Sequence, residues 1–368
     1  MNLHVGVVAR CLNTAHIRGM GRYLYALIQH LVDEPGLQWH VMGDDPRYPL
    51  ATPKGMRGAV DVFPFRGDRF QLWEQVALPR RAKQRRLSVL HCPEGTLPLW
   101  QPVPTVVTLH DTLAWQELDG GPALRTYFNS VLPAALKRCA AIITVSESAR
   151  SDISAKWPVL ADKITVIPHG VGTEYLSEGP APAPSEVQRA LMGAPYLVYL
   201  GGALERKRFG WAVQALLACG LPQMRLVACG FGAAAAAVAG AALPVEAAGR
   251  VHFAPFLSDE EMLALYRGAI AVLYPTLYEG FGFPAIEAQA AGVPVIFSPV
   301  SSLKELVGPL TILAAPHDMD SWTQAIQRAA GLGYESPVLA AKARDWVRAF
   351  SWDRSARAHL AVYRSIAR

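Results

Sequence analysis

The stretch LYPTLYEGFGFPAIEAQAAGVPVI, residues 273–296, decides how the chain folds. It begins inside one apolar β-type run, AVLYPT, and ends inside another, PVIFSP. Between the runs stand Glu279, the turn Gly280–Phe281–Gly282–Phe283, Pro284 and Glu287. Pro284 suits the first turn of a helix, where its missing N–H would have had no partner anyway. Strand, glycine turn, helix and strand in that order make a unit of a parallel sheet. Carboxylates are costly near a core, so two of them around a glycine turn mark a candidate site. Gly280 and Gly282 let backbone approach a ligand closely. The helix entry presents unpaired N–H groups and partial positive charge, which suits a diphosphate. Glu287, placed in the first turn, would accept hydrogen bonds from paired hydroxyls such as those of a ribose. Glu279 would face whatever lies beyond the phosphates, and sugar hydroxyls are suitable partners. A βα turn in which Glu287 only favours the helix dipole is the plainer alternative.

The same alternation extends outward. YLVYLGG, MRLVACG and VHFAP are β-type runs separated by helical patterns, including SDEEMLALYRGA, where Ser258 can cap and Glu261 follows three residues later. Upstream, LHVGVVA, WHVMG, LSVLHC, PTVVTLHD, AAIITVS and KITVIPHG form a second series. Runs that are apolar on both faces, each followed by a helical pattern, indicate buried parallel sheets. We therefore expect an α/β protein of two doubly wound domains. The first spans 1–172. The Pro/Ser/Ala-rich segment SEGPAPAPSE lies within a linker, 173–190. The second domain spans 191–347. The amphipathic helix of 348–368 could close the second domain or cross back to the first. In such sheets ligands bind at the carboxyl ends of strands, so the crevice between the domains is the expected site.

With 368 residues, about half of them hydrophobic, the chain is long enough for two cores. A net charge of +5 fits an acidic ligand without naming one. Five cysteines with no CxxC pair argue against a disulfide framework or a zinc ribbon and fit a reducing cytosol. The N-terminus reads as a first strand rather than a signal peptide. Residues 226–245 carry no formal charge until Glu246, but they are alanine-rich and broken by Gly230, Gly232, Gly240 and Pro244. They read as strand, turn and helix rather than a membrane span.

Several segments resemble family 4 of the retaining, nucleotide-sugar glycosyltransferases, which have the GT-B fold of two Rossmann-like domains facing a central cleft. EGFGFPAIEA matches the Glu-x7-Glu signature of that family. RGMGRYLYALIQHL is similar to its N-terminal glycine loop and helix. His110–Asp111, VSESARSDI and VIPHGV resemble its first domain, and YLGGALERKRF its second. VHFAPFLSDEEMLALYRGA resembles the run preceding the signature, and FSWDRSARAHLAVYR the closing helix.

The resemblance implies roles. Glu279 would contact the donor sugar with help from Gly280, Phe281, Gly282 and Phe283, and Glu287 would hold the ribose. Arg206 and Lys207 would clamp the diphosphate. Relatives often carry an arginine where this chain has Gly202, so the clamp would rest on Arg206 and Lys207. Gly19, Gly21 and Arg22 would face donor phosphates; the pair of glycines lacks the third of a dinucleotide fingerprint, which disfavours a dehydrogenase. His110 would touch the donor sugar or acceptor, with Asp111, His91 and Ser146 on the acceptor side. His169 stands where asparagine is usual, at a turn given flexibility by Gly170. No DxD pair or His/Cys cluster with metal-ligand spacing appears, so metal-independent transfer with retention is expected, with no resident cofactor. The expected activity is transfer of a hexose, mannose from GDP-mannose being preferred, to a glycan or lipid-linked acceptor. The alternatives are another GT-B enzyme, such as a sugar-phosphate synthase or nucleotide-sugar epimerase, or a non-catalytic binding subunit.

FQLWEQVALPRRAKQRR, residues 70–86, joins Leu72, Trp73 and Val76 to Arg80, Arg81, Lys83, Arg85 and Arg86. It could meet an anionic membrane surface or be a core-facing helix with a solvated end. A cytoplasmic protein, peripheral at the inner face of the membrane, is the corresponding expectation. Nucleic acid is disfavoured, since no recognition motif appears.

Overall fold

The computed structural model describes residues 2–17, 19–64, 69–113, 125–177, 179, 183–332 and 337–367. Arg18, at the head of the glycine motif, and residues 178 and 180–182 of the proline-rich segment lie outside them. The chain divides into two compact units: residues 1–170 with 350–368, and residues 171–349.

The first unit holds strands β1 (Leu3–Val8), β2 (Leu37–Gly43), β3 (Gly58–Val62), β4 (Val89–Cys92), β5 (Thr105–Leu109), β6 (Ala141–Thr144) and β7 (Ile164–Val166). They form one parallel seven-stranded sheet in the order β3-β2-β1-β4-β5-β6-β7. Every residue of β4, β5 and β6 is buried, which explains why these strands read as unbroken apolar runs. β3 escapes sequence reading because it is an edge strand, GAVDV, with no buried residue. The helix Gly19–Gln29 buries Tyr23, Leu24, Leu27 and Ile28.

The second unit holds β8 (Tyr196–Leu200), β9 (Arg225–Cys229), β10 (Val251–Phe253), β11 (Ala271–Tyr274), β12 (Val295–Phe297) and β13 (Thr311–Leu313). These make a parallel six-stranded sheet in the order β10-β9-β8-β11-β12-β13. β13 is again a short edge strand that the sequence pattern does not reveal. The Ala-rich segment resolves into β9 and the helix Ala233–Ala241, and among the described residues no helix is long and apolar enough to cross a membrane. Ser258 caps the helix Asp259–Gly268 in a full capping box, with Glu261 Oε2 accepting the Ser258 N–H at 2.9 Å.

The last helix, Trp352–Ile366, packs on the helix Gly19–Gln29 of the first unit. It buries Trp352, Ala356, His359, Leu360 and Tyr363 on one face. Gly170 accepts this packing. A Cβ there would lie 2.2 Å from the Trp352 nitrogen. The glycine is needed for close approach rather than for the turn flexibility expected of it.

Candidate active site

In the second unit, β8 and β11 flank the point where strand order reverses, and their following loops meet there. The loop after β8 turns at Gly202, whose φ is +60° and where a Cβ would fall 2.4 Å from the Gly230 carbonyl oxygen. No side chain fits that position as the loop stands, so the loop's cations come from the 3-10 turn Glu205–Lys207. The Arg206 carbonyl accepts the Leu277 N–H at 2.9 Å, joining this loop to the one after β11.

Glu279 is the centre of the arrangement and is only 7 % exposed. Arg206 Nη1 lies 3.3 Å from Glu279 Oε1 and donates to the Tyr278 carbonyl at 2.8 Å. Lys207 Nζ pairs with the same carboxylate oxygen and lies 3.1 Å from the Tyr274 hydroxyl. Burial alone would raise the Glu279 carboxyl, but Lys207 and then Arg206 outweigh it and hold the group below its ordinary value. Two cations on one carboxylate leave a net positive charge.

The glycine turn is tied down from behind. Ser301 Oγ accepts the Glu279 N–H at 2.8 Å, and Ser302 Oγ lies 2.8 Å from the carbonyl oxygens of both Glu279 and Phe281, which share its one proton. Gly282 has φ +112°, and a Cβ there would sit 2.5 Å from Leu303 Cδ2. The helix Phe283–Ala290 follows directly. Glu287 is its fifth residue, so it lies beyond the first turn, against the expectation from sequence, and no acidic residue occupies that turn. The dipole-only explanation of Glu287 weakens accordingly, because that effect fades past the first turn. Glu287 is buried and accepts a hydrogen bond from Tyr266 at 3.0 Å.

In the first unit, His110 follows β5. Its Nε2–H donates to the Pro93 carbonyl at 2.8 Å, since a carbonyl can only accept, and Nδ1 is left with the lone pair. Burial lowers this imidazole to about 4, so it is neutral near pH 7. Its ring meets Tyr23 edge-on at 5.1 Å and His169 at 5.3 Å. His169 is buried between Tyr23 and Trp352. Asp111 Oδ1 accepts the Leu113 N–H at 3.1 Å. Gly21 is forced by packing, a Cβ there lying 2.6 Å from the Cys11 carbonyl; Gly19 opens the helix and Arg22 is half-buried.

Two acceptor-side expectations do not fit this geometry. His91 is fully enclosed, with Nε2 2.8 Å from the Thr108 hydroxyl and Nδ1 2.8 Å from the Tyr363 hydroxyl. Both nitrogens are committed within the core. Ser146 is buried, and its Oγ caps the helix Glu147–Lys156 by accepting the Ala149 N–H at 3.1 Å. The sequence does not single out Arg10 and Glu94, each two residues past the end of β1 and β4, or Glu74 of the helical stretch Arg69–Ala77; together they form an ionic group. The available signal was a charged residue shortly after each of those two β-type runs.

Among the described residues no group of three or more His, Cys, Asp or Glu side chains could hold a metal ion. In the patch 70–86, Trp73 is buried and its Nε1 donates to the Phe63 carbonyl at 3.0 Å. The side chains of Phe70 and Gln71 lie outside the described residues. Arg81 and Arg85 lie 3.5 and 3.0 Å from Asp61.

Two parallel Rossmann-like sheets, the second with a cation–carboxylate group and a glycine turn at its switch point, have the architecture of the GT-B fold. Residues 17–175 match the model of Glycosyltransferase Family 4, and residues 185–344 that of Glycosyl transferases group 1. The chain belongs to family 4 of the glycosyltransferases. It is 29% identical over 256 residues to O-antigen chain mannosyltransferase B of Escherichia coli, covering 67% of each chain. It is 31% identical over 242 residues to the MMP alpha-(1->4)-mannosyltransferase of Mycolicibacterium hassiacum, covering 62% of this chain and 54% of that one. The match thus spans little more than half of the second relative. Among solved structures, sucrose-phosphate synthase from Thermosynechococcus elongatus superposes with a TM-score of 0.75 at 21% identity, covering 99% of both chains. Anabaena Alr3699/HepE, solved in complex with UDP and glucose, gives 0.75 at 15% identity, covering 99% of this chain and 100% of that one.

Proposed function

We propose that this glycosyltransferase moves a hexose from a nucleoside-diphosphate sugar to a glycan or lipid-linked glycan, with retention and without a metal. The observation that carries the reading is the Arg206–Glu279–Lys207 group beside the entry of the helix Phe283–Ala290. Negative charge grows on the departing β-phosphate in the transition state, and preorganised cations and amides contribute most there. Arg206, Lys207 and the helix entry supply the positive charge that a metal supplies elsewhere, and the net charge of the group is positive. Glu279 stands at the end of the glycine turn toward the donor sugar, with Gly280, Phe281, Gly282 and Phe283 as backbone contacts. Glu287 takes the ribose hydroxyls. Gly202 gives the loop its close approach.

From the first unit we assign Gly19, Gly21 and Arg22 to the donor phosphates. His110 takes the sugar or the incoming hydroxyl through Nδ1, with Asp111 on the acceptor side. The leaving phosphate receives the acceptor's proton, so no side chain acts as a covalent nucleophile. Mannose on GDP is the assigned donor; two relatives named as mannosyltransferases support the sugar. A thermal-shift panel of GDP, UDP, ADP and dTDP sugars tests the donor, and EDTA-treated enzyme tests the metal. Turnover that survives Glu279→Ala in a folded protein would sink the assignment.

Peripheral contact with anionic lipid at the cytoplasmic face is a second element of the proposal. Exposed Arg80, Lys83 and Arg86 support it, together with Leu99 and Trp100, 37 % and 47 % exposed. Leu99 donates its N–H to Gln75 at 2.8 Å, and Gln75 lies in the helical stretch Arg69–Ala77 that runs directly into the helix Leu78–Gln84 bearing Arg80 and Lys83. Flotation with anionic and neutral vesicles tests it; binding unchanged when Arg80, Lys83 and Arg86 become glutamine rejects it.

A further inference from the structure

The switch point of the first unit carries a charged group that the proposal above leaves idle. Arg10 follows β1 and Glu94 follows β4, the strands on either side of the reversal in strand order. Arg10 is 2 % exposed, 3.6 Å from Glu74 and 3.4 Å from Glu94. Glu74 is equally enclosed and accepts hydrogen bonds from Thr96 and from Tyr127, the latter at 3.0 Å. Glu94 differs: Oε1 accepts the Cys11 N–H at 2.9 Å and Oε2 is the atom facing Arg10, yet the side chain keeps 14% of its surface exposed. Glu74 and Glu94 both lie against the Arg10 guanidinium, and of these two carboxylate side chains Glu94 is the one that keeps exposed surface. The residue before it, Pro93, holds His110 in place through its carbonyl.

We infer that Glu94 is a specificity residue that accepts hydrogen bonds from the hydroxyls of an uncharged acceptor carbohydrate, and that this site turns away sugar phosphates. The inference rests on the reading that the first unit takes the acceptor. A carboxylate at the edge of a buried ionic group is a strong acceptor for sugar hydroxyls, and such charge-assisted bonds are the stronger kind. An anionic sugar would meet that carboxylate, while Arg10 is buried and already shared between two carboxylates. The opposite polarity holds in the second unit, where two cations share one carboxylate. A donor diphosphate and a neutral acceptor are thereby sorted by charge. The resemblance in fold to sucrose-phosphate synthase makes the contrast worth testing directly.

The test reads acceptor binding without a donor, by saturation-transfer NMR on the full chain. The probes are methyl α-D-mannopyranoside, methyl α-D-glucopyranoside, mannose 6-phosphate and glucose 6-phosphate. The wild type is expected to bind at least one neutral glycoside and neither phosphate. Glu94→Gln keeps an oxygen for the Cys11 N–H but removes the charge, and is expected to bind the glycoside about tenfold more weakly. Equal binding by wild type and Glu94→Gln would overturn the inference. So would a sugar phosphate that binds the wild type as well as its neutral counterpart, or a wild type that binds no neutral glycoside. Should the variant unfold, the wild-type comparison of neutral and phosphorylated sugars decides alone. Donor binding by thermal shift on the same protein is a separate reading. Its failure would strike the proposed activity and leave this result standing.

Discussion

The phenol of Tyr23, in the first helix, lies 2.8 Å from Nε2 of His359, in the last. The direction of every neighbouring hydrogen bond follows from one carbonyl. His359 Nδ1 must donate to the Ser355 carbonyl, at 2.8 Å, so Nε2 accepts from Tyr23. Tyr23 then accepts from Thr108 at 3.1 Å, and Thr108 accepts from His91 at 2.8 Å. His91 Nδ1 in turn accepts from Tyr363. Each hydroxyl has one proton and each neutral imidazole one donor, so the chain closes without an unmet group. It ties the last helix to the strands that carry His110.

Tyr363→Phe removes the last donor of this chain and leaves His91 Nδ1 buried without a partner. We expect a loss of about 1–3 kcal/mol of stability, the usual cost of such a group. The urea midpoint of the variant, at unchanged slope, checks the value.

The pH dependence has a definite sign. Burial pushes His110 and His359 down to about 4, and lowers His91 and His169 well below their ordinary value. In the unfolded chain they titrate near 6.5. Between those values the unfolded state binds more protons, so stability rises with pH there. It is full above about pH 6.5 and is lost as pH falls toward about 4. Urea midpoints between pH 7 and 4.5 should fall steadily, and His359→Gln should flatten the slope. A flat wild-type profile would contradict the burial of neutral histidines.

Lys207→Ala takes away one of the two cations on Glu279 while leaving the backbone of its loop. Turnover should drop about 10²–10³-fold, as for loss of one transition-state donor. The Glu279 carboxyl should also titrate higher, because Lys207 is the larger of its two stabilising neighbours. Steady-state rates and the acid limb of the pH–rate profile read the two effects.

Gly202→Arg would supply the arginine that relatives often carry at this position. Here φ is +60°, and the new Cβ would press on the Gly230 carbonyl. We expect a destabilised protein, by about 1–3 kcal/mol from the backbone alone, and no gain in turnover. A stable and faster variant would show that the loop has a second conformation.

Much of the candidate site was legible because its residues are close in sequence. The glycine turn from Glu279 to Phe283 and the pair Arg206–Lys207 sit directly after apolar runs, and a parallel sheet places such positions at one edge. The buried strands were legible for the same local reason: residues enclosed on both faces leave an unbroken apolar run, as in β4, β5 and β6. The edge strands β3 and β13 were not, because one neighbour and partial exposure leave no such run.

Hydrophobic patterning alone carries the alternation of strand and helix, and with it two parallel sheets, because strands buried on both faces leave unbroken apolar runs. Where the long-range partners fall is set by three-dimensional packing. It brought Glu279 to Lys207, buried His91 against Tyr363, gave Ser146 to a helix cap, and sent the last helix to the first unit. Periodicity along a chain records which face of an element is buried, but not against what. Pairings across tens or hundreds of residues depend on strand order and helix packing, which no local pattern encodes.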